Sequence, residues 1–126
     1  MKALRVSILV LALLMAVSLV NSAYLTARCG DWTACLDAVT IAAAGGDWNT
    51  AEREMTALRT DWQKKQRYLH ITLMHEEINA ADTLLHQCAL FVNARDNDSL
   101  SDTAVQLALQ FARLAELEQL SIRNVL

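Results

Sequence analysis

GGDWNTAEREMTALRTDW, residues 45–62, sets two tryptophans fourteen positions apart behind a double glycine. Read at alternating steps of three and four, its apolar residues are Trp48, Ala51, Met55, Leu58 and Trp62. They form one stripe along a helix, so both indoles share a face. Such a stripe buries itself against other helices, and Trp48 and Trp62 are therefore read as core rather than as a ligand cage. Asp47 stands where a helix cap accepts backbone N–H bonds, and Gly45-Gly46 offers the left-handed residue that ends a preceding helix. Lys64, Lys65 and Arg67 complement the dipole toward the far end.

The same spacing recurs on both sides. Upstream, Trp32, Cys35 or Leu36, Val39 and Ala42 make a shorter stripe. Downstream, Ile71, Met74, Ile78, Ala81, Leu85, Cys88 and Val92 make a longer one whose phase does not continue from Trp62. The phase change predicts a break or kink between Arg67 and Thr72. No glycine or proline marks it, so one helix from Asp47 to Arg95 is the competing reading. After the polar stretch NARDNDSLSD, Ser99 and Asp102 resemble a capping box, and Ala104, Leu107, Phe111, Leu114 and Leu117 carry a last helix. Proline is absent and glycine occurs three times in 126 residues, which favours helix throughout. The expected fold is all-α, with an N-terminal transmembrane helix continuing into a small antiparallel bundle of two helical hairpins. Trp32, Trp48 and Trp62 belong to its core. GDW followed by alanine looks like a tetratricopeptide unit, but hairpins about fifty residues apart are too long for a repeat of roughly 34.

From Val6 to Ala27 no residue is charged. As a helix this segment is ~33 Å long, enough to cross the hydrocarbon of a bilayer. It reads as an uncleaved signal-anchor, residues 1–27, ahead of a helical domain, residues 28–126. Cleavage after Ser22 or Ala23 is the alternative, but the A-x-A pattern of small residues is missing. Lys2 and Arg5 precede the span, and Arg28, Asp31 and Asp37 are the first charges after it. That asymmetry predicts a cytoplasmic N-terminus and an extracytoplasmic body in a single-pass protein of the cell membrane. Tyr24 falls at the level of an interfacial aromatic ring, and Ala12, Ala16, Ser18 and Ser22 give small-xxx-small spacings that permit close helix approach.

Setting Lys2 and Arg5 aside leaves nine basic against 14 acidic residues. An acidic body without a basic stripe argues against nucleic-acid binding. Cys29, Cys35 and Cys88 form no CxxC, and Arg28 before Cys29 spoils a lipobox. Cys35 and Cys88 are expected as buried thiols, with a disulfide between them as the alternative in an oxidising compartment. HEEIN, residues 75–79, looks most reactive, but Asn79 stands where HExxH needs its second histidine. His86 is ~16 Å along a helix from His75, too far for shared ligation. No phosphate loop, nucleophile elbow or spaced carboxylate pair appears. The reading is therefore not an enzyme, with no catalytic residue, no metal ligand and no cofactor.

MKALRVSILVLALL with NSAYL, GDWNTAEREMTALRTDW, HEEIN and the closing LSIRNVL span nearly the whole chain in order. Together they resemble the small bacterial membrane-anchored family DUF4363, a domain of unknown function. The resemblance implies an N-terminal membrane helix, a helical body and no assigned activity. It also implies His75 and Glu77, with Asn79, as a signature or partner surface, and a YetF-like integral membrane protein as a partner. The three cysteines and the few charges before Gly45 depart from the usual pattern. The function expected is that of an anchored interaction or accessory module supporting another membrane protein. The alternative is an extracytoplasmic ligand or ion sensor. The anchor would contact membrane lipid, and Lys64, Lys65 and Arg67 would reach its surface after the second helix returns downward.

Overall fold

A computed structural model describes residues 1–72 and 75–125, and their side chains except those of residues 21, 22, 25, 67–72, 118, 119 and 121–125. Four helices run through them: α1 (Lys2–Ala44), α2 (Trp48–Thr72), α3 (His75–Ala94) and α4 (Asn97–Val125). No strand occurs among the described residues. Each helix packs on two neighbours, α1 and α3 both lying between α2 and α4. With such short connections, this ring is an antiparallel four-helix bundle. The expected all-α fold with two hairpins is the fold observed.

α1 does two jobs. Its first part, Lys2–Val20, is long and apolar enough to cross a membrane and is not buried by the described residues, features that a signal sequence shares. Its second part enters the core through Cys29, Trp32, Leu36, Val39 and Ala43. No break separates the two, because nothing between them removes a backbone hydrogen bond; Gly30 is simply carried within the helix.

The stripes read from the sequence supply the rest of the core. α2 contributes Ala51, Met55, Leu58 and Trp62; α3 contributes Ile78, Ala81, Leu85, Cys88 and Val92; α4 contributes Leu100, Ala104, Leu107, Phe111 and Leu114. Trp48 is half-buried, because it opens α2 at the rim of the bundle. Leu36 rather than Cys35, and Ala43 rather than Ala42, face the centre of α1. Leu117 is also only half-buried. The expected break is not found between Arg67 and Thr72: α2 continues through Thr72 and α3 starts at His75, with residues 73–74 outside the described residues. Met74 lies outside the described residues, and the side chain of Ile71 outside the described side chains.

Two turns share one hydrogen-bond pattern. At the end of α1, Gly46 N donates to Ala43 O at 3.1 Å and Asp47 N to Ala42 O at 2.8 Å. At the end of α3, Arg95 N donates to Val92 O at 3.1 Å and Asp96 N to Phe91 O at 3.0 Å. Both are Schellman closures, which need a left-handed residue. Gly46 supplies it with φ 77° and Arg95 with φ 54°. Asp47 then caps α2, accepting from Thr50 N at 3.2 Å and Thr50 Oγ1 at 2.6 Å. Asp96, not Ser99, caps α4, accepting from Ser99 N at 3.2 Å. The capping-box reading placed the start of that helix three residues late.

A Cβ at Gly46 would meet nothing within 4 Å, so Gly46→Ala carries only the backbone cost of the left-handed conformation. Gly46→Ala is expected to lower stability by about 1 kcal/mol, and Arg95→Gly to raise it by a few tenths to ~1 kcal/mol. Thermal unfolding of the full chain in detergent should show shifts of opposite sign.

Candidate functional site

The richest polar cluster lies where α1 leaves the bundle. Tyr24, Arg28 and Trp32 are spaced four apart on α1, and Asp61 and Lys65 four apart on α2. Residues four apart stack on one helix face, so antiparallel packing matches the two ladders rung by rung. Trp32 Nε1 donates to Asp61 Oδ2 at 2.6 Å. Arg28 stands 3.8 Å from the carboxylates of both Asp61 and Asp31. The Tyr24 ring has the Arg28 guanidinium 5.4 Å and the Lys65 ammonium 5.5 Å from its centroid, within cation–π range. Lys64 is exposed, and the side chain of Arg67 lies outside the described side chains. The sequence singled out Tyr24 and Lys65 separately. Their meeting could not be read without the pairing of α1 with α2.

Above this cluster sits an aromatic knot. Trp32 and Trp62 meet edge to face with centroids 5.1 Å apart, and Phe111 lies 5.4 Å from Trp32 and 5.9 Å from Trp62. Trp62 Nε1 donates to Asp82 Oδ1 at 3.1 Å. Both indole N–H groups are thus satisfied at the edge of the core, and no open cage is left between the rings.

HEEIN divides into different environments. Glu77 is turned to α4: Gln110 Nε2 donates to its carboxylate at 2.8 Å and its carbonyl at 3.0 Å, and Arg113 Nε donates to the carboxylate at 3.0 Å. The Gln110 hydrogen bond, and then Arg113, hold the Glu77 carboxyl below the usual carboxylate range. His75 and Asn79 are exposed. The structure therefore separates the three residues, with Glu77 bound inside the bundle edge.

The three cysteines are free. Burial pushes the thiols of Cys29 and Cys88 up to about 12. Cys35, half-buried, approaches the Glu54 carbonyl at 3.3 Å and the Glu54 carboxylate at 3.6 Å. Burial, then Glu54, raises it to about 11. All three are protonated at neutral pH and poor nucleophiles. Among the described residues no group of three or more His, Cys, Asp or Glu side chains is placed to hold a metal.

Residues 19–125 match a family described as a domain of unknown function, DUF4363. The chain belongs to this family. No curated protein matches it. No solved structure matches it either.

Two further surfaces of this DUF4363 chain bear on function. On the outward faces of α1 and α4, Ile41, Val105 and Leu109 are 73%, 62% and 65% exposed, and Ala34 and Ala112 are exposed on the same two helices. Asp37 lines the seam between these helices, and Asp102 and Glu116 flank the apolar positions on α4. On the opposite side, the α2–α3 seam holds a cavity of about 380 Å³ with Glu52, Arg59, His86 and Asn93 over Met55 and Leu90. Neither surface was singled out from the sequence, because each joins residues of two helices.

Glu77→Gln is expected to lower stability at pH 7 by on the order of 1 kcal/mol, a modest value because Arg113 is well exposed. Glu77 has a depressed folded pKa, so its contribution is present above the unfolded pKa and disappears as pH falls through the folded one. Melting curves should separate wild type from Glu77→Gln at pH 7 and bring them together below the ordinary carboxylate range.

Proposed function

We propose that this chain is a membrane-anchored interaction module that docks its α1–α4 face on a second integral membrane protein. Anchoring is supported by the exposed part of α1. Eleven large apolar side chains from Leu4 to Val20 are each more than half exposed. At roughly 1.5 kcal/mol or more apiece, leaving them in water would cost ~15 kcal/mol or more, beyond the whole stability of a typical domain. Lipid removes that cost. Lys2 and Arg5 before the span favour a cytoplasmic N-terminus and an extracytoplasmic body.

The observation that carries the docking reading is the exposure of three large apolar side chains on the α1 and α4 faces, Ile41, Val105 and Leu109, which together we take as an apolar strip. α1 continues from the span into this face without a break, so the strip stands upright beside the membrane. A helix emerging from the same bilayer can lie along it. The acidic residues Asp37, Asp102 and Glu116 at its margins favour an occupant with an apolar stripe flanked by Lys or Arg. A YetF-like protein is the first candidate, and exposed His75 and Asn79, beside Glu77, offer a secondary contact. Binding, rather than catalysis, is the assigned role.

The Val105→Glu/Leu109→Glu variant should lose at least tenfold of a stoichiometric integral membrane partner on purification from native membranes. Helical content should stay unchanged and Leu90→Glu, on α3, should retain the partner. Undiminished partner in the double variant sinks the docking face; recovery of only a second copy of this chain reassigns it to self-association.

The α2–α3 cavity favours a second reading, a ligand sensor, because half-buried Arg59 lines it together with His86. Small carboxylates and inorganic phosphate should then raise the melting temperature of wild type but not of Arg59→Gln. Equal shifts in both would remove this reading.

A further inference from the structure

The foot of the bundle is arranged in layers. Asp31 and Asp61 lie on the body side, one turn from Arg28 and Lys65 respectively. Arg28 and Lys65 come next, converging on the Tyr24 ring. Beyond Tyr24 the apolar part of α1 begins. Charge therefore runs from acidic to basic to apolar, which is the order an anionic lipid headgroup meets from the water side.

Both cations turn to one group, Lys65 and then Arg28 hydrogen-bonding the Tyr24 hydroxyl. Arg28 is 3.8 Å from each carboxylate, outside hydrogen-bond range, and a guanidinium carries five N–H donors. Lys65 makes no ion pair with a described residue. The level is also right. A span beginning at Val6 crosses ~30 Å of hydrocarbon in about 20 residues and reaches the headgroups between Tyr24 and Arg28.

We propose that Arg28 and Lys65, with Tyr24 between them, form a binding site for the phosphate of one anionic phospholipid. The aromatic ring sits at the hydrocarbon boundary and sets the two cations at fixed positions on either helix. The Arg28 fork takes phosphate oxygens while the Lys65 ammonium adds the second charge. The bound lipid clamps α2 to α1 at the foot, below the Trp32–Asp61 hydrogen bond. The site rests on the anchoring reading, since it needs α1 to carry Tyr24 into the interface.

The test uses the full chain in detergent, titrated with phosphatidylglycerol or phosphatidylcholine and followed by native mass spectrometry. Wild type should retain one phosphatidylglycerol in preference to phosphatidylcholine. Arg28→Gln/Lys65→Gln should weaken that retention about 30-fold, two contributions of ~1 kcal/mol converted at 1.4 kcal/mol per tenfold. Arg53→Gln, far up α2, should leave it unchanged. Circular dichroism confirms that the double variant remains helical; if it unfolds, Arg28→Lys and Lys65→Gln are titrated singly, each expected to weaken retention severalfold. Equal retention by the variants and wild type, or equal affinity for the two lipids, overturns the site. Either result leaves anchoring intact, because that reading fails on a different measurement: a mature chain beginning near Ala23 and free in the medium.

Discussion

Three aromatic rings from three helices hold the lower half of the bundle together. Trp32 of α1, Trp62 of α2 and Phe111 of α4 pack within 6 Å of one another and are almost wholly buried. Rings of this size carry the largest apolar areas in the core, and their tilted and edge-to-face contacts add a directional term. An indole cannot be buried without a partner for its N–H, at a cost of about 1–3 kcal/mol. Asp61 and Asp82 meet that need from neighbouring helices, which ties register to hydrogen bonding. A one-residue slip of α2 would rotate Trp62 off the core face and withdraw Asp61 from Trp32 together.

That constraint extends to the foot of the molecule. Because Asp61 is held by Trp32, Lys65 one turn further along α2 arrives beside Tyr24. A positive layer is thus built from residues thirty-seven or more positions apart in sequence. The continuity of α1 matters for the same reason. With no hinge between its exposed apolar part and the core, whatever holds the first part fixes the orientation of the bundle and of its α1–α4 face.

Glu77 shows how a reactive-looking residue can be structural. Beside His75 and Glu76 it invites a chemical reading, yet its carboxylate is satisfied by Gln110 and Arg113 and is kept ionised by them. The cysteines follow the same logic. Removing a thiol from water disfavours the thiolate, so burial leaves Cys29 and Cys88 inert whatever their spacing suggests.

Local patterns in the sequence determined the helices, because a helix is stabilised by neighbours three and four residues away. The stripe from Ala51 to Trp62, the α3 stripe from Ile78 to Val92 and the α4 stripe through Leu107 and Phe111 all bury the positions their spacing selects. The apolar N-terminal run and the Gly46 turn were legible for the same reason. Burial at the ends of stripes was not, since Trp48 and Leu117 depend on whether another helix continues past them. Nor was the cap at Asp96, where Asp96 and Ser99 each have capping chemistry and only the Schellman closure at Arg95 chooses between them. Tertiary structure alone decided which charges meet. Tyr24 with Lys65, Asp61 with Trp32 and Glu77 with Arg113 join different helices, and their contact depends on helix order, rotation and register set by the aromatic core.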